Sequence, residues 1–277
     1  MSRDTAKPSR SPFAFATGLW KNRELLWQFS LREVELRHKG SHLGLIWSFL
    51  NPLLMLSLYV FVFGYIFGGS FGVLPHETKV DYALGIFLGL AIFQFLAETM
   101  AIAPNLIVVN PNFVKKVVFP LEVLSAASVS AAVFHLLISL GLVLIGAALF
   151  GNGLTAGVLW MPVLALPVAL LALGMSWTIA ALGVFLRDLS QLTSFLTLAL
   201  MYASAVFYPI RKIPHSVWQI LRFNPLLLSV TEARNAVLWN QPVNLLHVGY
   251  LYVVGFAACY FGHMIFRRLK PAFADVL

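Results

Sequence analysis

Six ionisable side chains stand in or beside long apolar stretches of this chain: Glu98, Glu122, His135, Arg187, Asp188 and His263. A charge at membrane depth is expensive and marks a functional site by default, so each must be asked what chemistry it can do. Acid–base or nucleophilic catalysis needs a second group within reach, either a paired carboxylate or a nucleophile beside a base. Only Glu122 and Asp188 fall where the apolar runs meet an aqueous surface, and neither has such a partner nearby in sequence. The seven histidines are scattered, and no His, Cys or acidic cluster has metal-ligand spacing. No phosphate-binding G-x-x-x-x-G-K-[ST], no H-E-x-x-H and no G-x-S-x-G occurs. The charges are therefore expected to be structural: Glu98 in an ion pair or capping contact inside a helix bundle, His135 as a neutral hydrogen-bonded core histidine, and Arg187 with Asp188 fixing a tight turn.

The second candidate chemistry is aromatic. Tyr59, Phe63 and Phe67 repeat at four-residue spacing, with Phe61 and Tyr65 on the opposite face, and Tyr202, Phe207 and Tyr208 close a later apolar run. Rings at helical spacing either pack a core or present a surface. Aromatic faces suit the apolar C–H faces of sugars, and they hold weakly at successive positions, as a processive conduit requires. Tyr59, Phe63, Tyr202, Phe207 and Tyr208 are the candidate lumen residues on one reading, and packing against neighbouring helices or lipid is the other.

The elements that must position these residues follow from composition. Of 277 residues, 60% are hydrophobic and 11% charged, less than half the usual charge of a soluble domain, and the mean hydropathy is +0.84. Nearly uncharged runs long enough for a bilayer of ~30 Å recur, which makes this an all-α polytopic membrane protein. Six transmembrane helices are predicted, at roughly 43–67, 82–103, 122–150, 158–186, 189–208 and 247–266. Placing the N-terminus inside puts 14 of the 19 Lys and Arg residues on the cytoplasmic side and 5 outside, so both termini are expected in the cytoplasm. The net charge of +8 then follows from the positive-inside bias and does not call for nucleic acid. Cys259 has no internal partner, and no apolar region follows the basic N-terminus to suggest a cleavable signal peptide. Gly64/Gly68 and Gly85/Gly89 have the small-xxx-small spacing of close helix packing.

Three segments are not ordinary spans or loops. Residues 19–40, after a flexible 1–18, form a basic helix with two apolar faces. Trp20, Trp27, Leu31 and Val34 share one, and Leu25, Phe29 and Leu36 lie nearly opposite. A helix resting only on a membrane needs a single apolar face, so two suggest a helix held between bilayer and cytosol, against the plainer reading of an interfacial anchor. In 105–119, Asn110-Pro111 is a helix start, and Phe113, Val114, Lys115 and Lys116 would form a short amphipathic helix or, on the plainer reading, a basic loop. Residues 209–246 are too polar to span and too apolar for a free loop; two short external helices broken at Asn224-Pro225 fit, in a re-entrant or interfacial pair.

With these features in place, "LREVELRHKGSHLGLIWSFLNPLLMLSLYVFVFGYIFG" resembles the opening of permease subunits in type-2 ABC exporters of O-antigen, capsule and teichoic-acid polymers. "NPNFVKKVVFPLEVL", "GVFLRDLSQL" followed by "SAVFYPI", and the tail "FGHMIFRRLKPAFADVL" agree in order, so the resemblance covers about residues 20–277. It implies a 41–277 six-span domain that works as a homodimer with two copies of a separate ATPase, the subunit that would carry ATP and Mg, and no cofactor in this chain. The cargo would be a lipid-linked polysaccharide crossing the inner (cytoplasmic) membrane. The pre-span helix would be an interface helix against the ATPase and 105–119 the coupling helix, giving Arg32, Arg37, Asn112, Phe113, Lys115 and Lys116 coupling roles. The 209–246 segment would hold the gate helices, with Trp218, Asn224, Pro225 and Arg234, and Gly40-Ser41 would be a hinge. Two alternatives stand beside it: an exporter of a drug or small lipid, and a membrane-embedded enzyme acting on a polyprenyl-linked or acyl lipid.

Overall fold

The computed structural model describes residues 14–38, 42–115, 119–151 and 153–277, and every regular element among them is helical. Two helices precede the first span, α1 (Ala14–Lys21) and α2 (Arg23–His38). The interface helix expected over 19–40 is thus broken at Asn22, whose Nδ2 donates to the Gly18 carbonyl at 2.8 Å. Regular structure also starts before residue 19, because Phe15 is buried, with its ring 6.2 Å from Trp177 and 6.4 Å from His263. Residues 1–13, Lys39, the Gly40-Ser41 hinge expected from the resemblance, and Lys116 lie outside the described residues.

The chain continues as α3 (Trp47–Tyr59, prolonged by a π-helical turn over Val60–Ile66), α4 (Lys79–Ile102) and the five-residue α5 (Pro111–Lys115). Then follow α6 (Glu122–Phe150), α7 (Met161–Gly183) and α8 (Leu189–Ala203). The last four are α9 (His215–Leu221), α10 (Pro225–Val237), α11 (Leu245–Leu269) and α12 (Phe273–Val276). Among the described residues, five helices are long and apolar enough to cross a membrane: α3, α4, α6, α7 and α11. α8, expected to reach residue 208, stops after 15 residues, about 22 Å of helix at 1.5 Å per residue. The basic residues Lys115, Arg187, Arg267, Arg268 and Lys270 all fall where the antiparallel helices share one end, the basic end of the bundle.

Local signals set several boundaries. Thr78 and Asp81 form a reciprocal capping box at the start of α4, with Asp81 N–H donating to Thr78 Oγ1 at 3.1 Å and Thr78 N–H to Asp81 Oδ2 at 2.9 Å. Asn224 caps α10 with Pro225 in its first turn, as the Asn-Pro pair predicts. The turn between α7 and α8 corrects the expected role of Arg187 and Asp188: both are exposed, and neither side chain has a bonding partner among the described residues. The turn is made by Phe185 and Leu186 N–H groups donating to the Leu182 carbonyl, with Val184 and Leu189 buried beneath it.

α4 is the centre of the bundle, with 72% of its most apolar window buried against 6% for α3. The most extensive helix pair is α7 with α11, and glycines make it possible. A Cβ on Gly262 would stand 2.1 Å from the Gly174 carbonyl oxygen, and one on Gly174 would stand 2.2 Å from Ala258 backbone. Backbones so close admit no side chain. Gly262→Leu is therefore expected to separate α7 from α11 and lower the thermal unfolding midpoint of the detergent-solubilised protein, overpacking costing about 1–3 kcal/mol or more. An unchanged midpoint would contradict this packing. Gly85 and Gly89, expected to serve span packing, instead clear space on α4 for the Phe71 ring and the Arg234 guanidinium; a Cβ on Gly89 would lie 2.3 Å from Arg234 Nη2.

Candidate functional site

A helix end leaves its last carbonyls without intrahelical donors. At the end of α8 and in the turn that follows it, side chains drawn from four separate places supply donors. Tyr208 Oη donates to the Tyr202 carbonyl. Asn224 Nδ2 donates to the Ala203 carbonyl at 3.1 Å while its Oδ1 accepts from Leu226 and Leu227 N–H, so one side chain ends α8 and starts α10. Arg234 donates to the Ala205 and Val206 carbonyls at 2.9 and 2.6 Å, and through Nε to the Gly85 carbonyl of α4 at 2.7 Å. Tyr82 Oη reaches the Phe207 carbonyl at 2.8 Å. Ala205 itself sits at φ +51°, a left-handed conformation that non-glycine residues adopt at a cost of about 1–3 kcal/mol. Arg234 is 2% exposed and its guanidinium lies 4.3 Å above the Phe71 ring, so a buried cation is stabilised by carbonyl dipoles and an aromatic face. Arg234, expected in a gate, is by geometry the clamp on this turn.

What the clamp positions is Phe207. Its ring stacks on Phe63 at 4.5 Å with planes 8° apart and lies 4.7 Å from Tyr59. Tyr202 is 6.5 Å from it, and Tyr59 Oη donates to Met201 Sδ at 3.9 Å. Phe207 thus brings Tyr59, Phe63 and Tyr202 together beside the end of α8, and Tyr208 joins them through its bond to the Tyr202 carbonyl. Phe207 differs from expectation. It is 4% exposed, so it backs the cluster, and the surface is left to half-buried Tyr59 and Phe63 and to exposed Tyr202. Turning the chain at Ala205 is what drives this ring inward. Trp218 of α9 packs against Ala205, Leu227, Leu228 and Leu251 on the other side of the same turn.

At the basic end the two segments expected to couple touch each other. Phe29 of α2 lies 5.5 Å from Phe113 of α5 and 5.2 Å from Phe119, and Phe113 stacks on Phe119 at 4.6 Å. Asn112, Lys115 and Arg32 are exposed around this joint, with the Arg32 guanidinium 5.5 Å over Phe29. The side chain of Arg37 lies outside the described residues. Trp20, Trp27 and Leu31 are exposed while Val34 is half-buried, and of the face read as opposite, Leu25 and Phe29 are half-buried and Leu36 is exposed, so only part of each expected face behaves as one surface. The helix in 105–119 starts later than expected, at Pro111, because 103–109 forms tight turns with Ala103, Pro104, Leu106 and Ile107 buried.

Glu98 of α4 is bonded to His135 of α6, Nδ1 to Oε1 3.0 Å. The carboxylate accepts, so the imidazole proton sits on Nδ1. Two contacts escaped the sequence. Glu122 accepts from Lys270 at 2.9 Å, and buried Glu232 of α10 accepts from Asn244 N–H at 3.0 Å and is 2.6 Å from His247 Nδ1. Glu232 stands two residues from Arg234 in an apolar stretch, which was the available signal. Among the described residues no group of His, Cys, Asp and Glu has the geometry to hold a metal ion.

The family description "ABC-2 type transporter" matches residues 24–239, a stretch that holds α2 through the clamped turn and α10. The O-antigen export system permease protein RfbA of Klebsiella pneumoniae is 27% identical over 92% of this chain and 95% of the relative. The protein of the same name from Myxococcus xanthus is 28% identical over 77% of this chain and 80% of its own length. The polysialic acid transport protein KpsM of Escherichia coli is 23% identical over 87% and 92%. With more than half its length matched to one family, and with the bundle and its joint falling inside that match, the chain belongs to the ABC-2 type transporter family.

Proposed function

We propose that this chain is the permease of an exporter that moves a lipid-linked, O-antigen-like polysaccharide across the inner membrane. In this reading two copies form the conduit, and two copies of a separate ATPase, which bind ATP and Mg, drive it. The basic end and both termini face the cytoplasm in accord with the positive-inside bias, α8 completes a set of six crossings with its clamped turn, and α9 with α10 form an external gate. No enzymatic step belongs to this chain. The names of the relatives supply the cargo class.

The observation that carries this reading is uneven burial. α3 and α8 carry the aromatic surface, yet they are the least covered apolar helices. Phe49, Leu54, Met55 and Leu58 of α3 and Leu192, Phe195 and Leu198 of α8 are all more than 45% exposed. A second copy laid against these helices covers their apolar faces and encloses Tyr59, Phe63 and Tyr202 between the protomers. Rings there touch sugar faces weakly and repeatedly, which lets a polymer slide where tight binding would stall it.

The test is complementation. In cells lacking their own exporter of this type, the chain supplied with its ATPase is expected to restore surface polysaccharide. The Tyr59→Ala, Phe63→Ala double variant is expected to reduce export several-fold at equal membrane abundance. Full export from the double variant removes the aromatic conduit, and failure of the unaltered pair to export any polymer overturns the proposed function.

A further inference from the structure

The end of the bundle opposite the basic one holds three acidic residues, Glu77, Asp81 and Glu232, and each is engaged within the chain. Glu77 accepts from Ser70 Oγ at 2.9 Å and from Phe71 N–H at 2.8 Å. Asp81 caps α4, and buried Glu232 holds Asn244 and His247. Arg211, Lys212 and Arg222 flank α9 and are exposed, and none of the three has a carboxylate partner among the described residues. Arg211 donates to the Gly72 carbonyl at 3.2 Å, a bond that places its charge without neutralising it. Uncompensated cations at this end run against the bias that gathers Lys and Arg on the cytoplasmic side, so they call for a counter-charge. α9 itself is apolar on two sides. Trp218 and Leu221 pack onto Ala205, Leu227, Leu228 and Leu251. Val217, Ile220 and Phe223, one residue off that register, are 43%, 75% and 55% exposed, and the Arg222 guanidinium lies 4.7 Å over the Phe223 ring. An apolar stripe flanked by cations is the make-up of a segment lying at the headgroup level of a bilayer. Charge decides what covers it. A second copy laid on this stripe brings like charges together, and a zwitterionic lipid adds no net charge. A phospholipid with an anionic headgroup supplies both the acyl boundary and the counter-charge.

We propose that α9 is a seat for anionic phospholipid in the outer leaflet. Arg211, Lys212 and Arg222 hold the headgroup phosphates, and Val217, Ile220 and Phe223 rest at the acyl boundary. From the exporter reading the seat takes only the side of the membrane on which α9 lies. Trp218 joins α9 to Ala205, so lipid that fixes α9 also bears on the clamped turn, and bilayer charge sets the resting position of the gate segment. Each basic residue held at an anionic surface changes the seated population about 5-fold.

The test places a nitroxide on Ile220→Cys of the full chain in lipid nanodiscs. The chain's single cysteine, Cys259, is buried and does not compete for the label. Discs of phosphatidylcholine alone are compared with discs of phosphatidylcholine and phosphatidylglycerol in equal parts, and accessibility to oxygen and to a nickel complex reads the depth of the label. In the anionic discs the label is expected in the bilayer, open to oxygen and shielded from nickel. In phosphatidylcholine the water-facing population should rise about 5-fold or more. Replacing Arg211, Lys212 and Arg222 together with glutamine should give the phosphatidylcholine result in both discs. A label in water in both discs overturns the seat, as does equal depth in both, or an unaltered depth in the triple variant. Spin–spin broadening without lipid contact assigns the stripe to a second copy and overturns it as well. The side is tested apart, with a membrane-impermeant maleimide on Gln219→Cys in right-side-out vesicles, where labelling is expected before lysis. External labelling with no dependence on lipid charge rejects the seat and leaves the exporter standing. Labelling only after lysis rejects the exporter's orientation, and the outer leaflet with it.

Discussion

Arg234→Met is expected to leave little folded protein in a detergent extract, a larger loss than any other single substitution in the bundle should cause. Two contributions oppose each other. Removing a buried guanidinium relieves its desolvation, and buried ionic groups exchanged for well-packed apolar ones are often neutral or stabilising. That outcome requires the partners to be satisfied without it, and here they are not. The Gly85 carbonyl keeps a donor within α4, but Ala205 and Val206 lie beyond the end of α8, where no following helical turn supplies an N–H. Two carbonyls left unbonded cost about 2–6 kcal/mol at 1–3 kcal/mol each, against a total stability of only about 5–15 kcal/mol. Lost contact with the Phe71 ring adds to this. The orphaned carbonyls win. Arg234→Lys is expected to be nearly as damaging, because an ammonium on a flexible stem cannot reach three carbonyls spread over two elements as the planar fork does. The measurement is the monodisperse fraction and unfolding midpoint after extraction. A methionine variant with the parent midpoint and undiminished export would mean that the turn does not depend on its clamp.

Arg234 also marks where the sequence stopped being informative. The bounds of α6 were readable as 122–150 because an uncharged run lies between Glu122 and Gly151. The end of α8 was not readable, since residues 189–208 contain no charged residue and no proline, the next being Pro209. What ends α8 is non-local: Arg234, Asn224 and Tyr82 arrive from 21 to 125 residues away. The four-residue spacing of Tyr59 and Phe63 announced a shared face. The burial of Phe207 depended on the left-handed turn at Ala205, for which its sequence carries no glycine or asparagine signal. Gly262 could be read as a small residue on α11, yet only the partner helix reveals that Gly174 lies opposite. Arg187-Asp188 illustrates the converse error. Two adjacent charges located the turn correctly, and their side chains turned out to contribute no bond to it among the described residues.

The two-sided pattern of α2 leads to the second large effect. Replacing Phe113 and Lys115 together with alanine is expected to leave membrane insertion and ATP hydrolysis in place while export collapses. Force delivered to α5 from below has a short route into the bundle: Phe113 stacks on Phe119 at 4.6 Å, and both rings meet Phe29 of α2. Aromatic pairs of this kind contribute about 0.5–1.5 kcal/mol each, enough to hold α5 against α2 as one body but too little for the fold to depend on them. Phe113 is only half-buried and Lys115 is exposed, so the double change leaves the central packing of α4 untouched. Losing a coupling free energy of about 1–3 kcal/mol corresponds to a 5- to 150-fold drop in export per ATP hydrolysed. Phe113→Leu with Lys115 intact separates joint from charge. If shape transmits the motion, leucine restores part of the export; if the lysine's contact with the ATPase matters more, Lys115→Ala alone reproduces the loss. Normal export per ATP in the double alanine variant would show that the drive enters the bundle elsewhere, through α12 or the exposed face of α2.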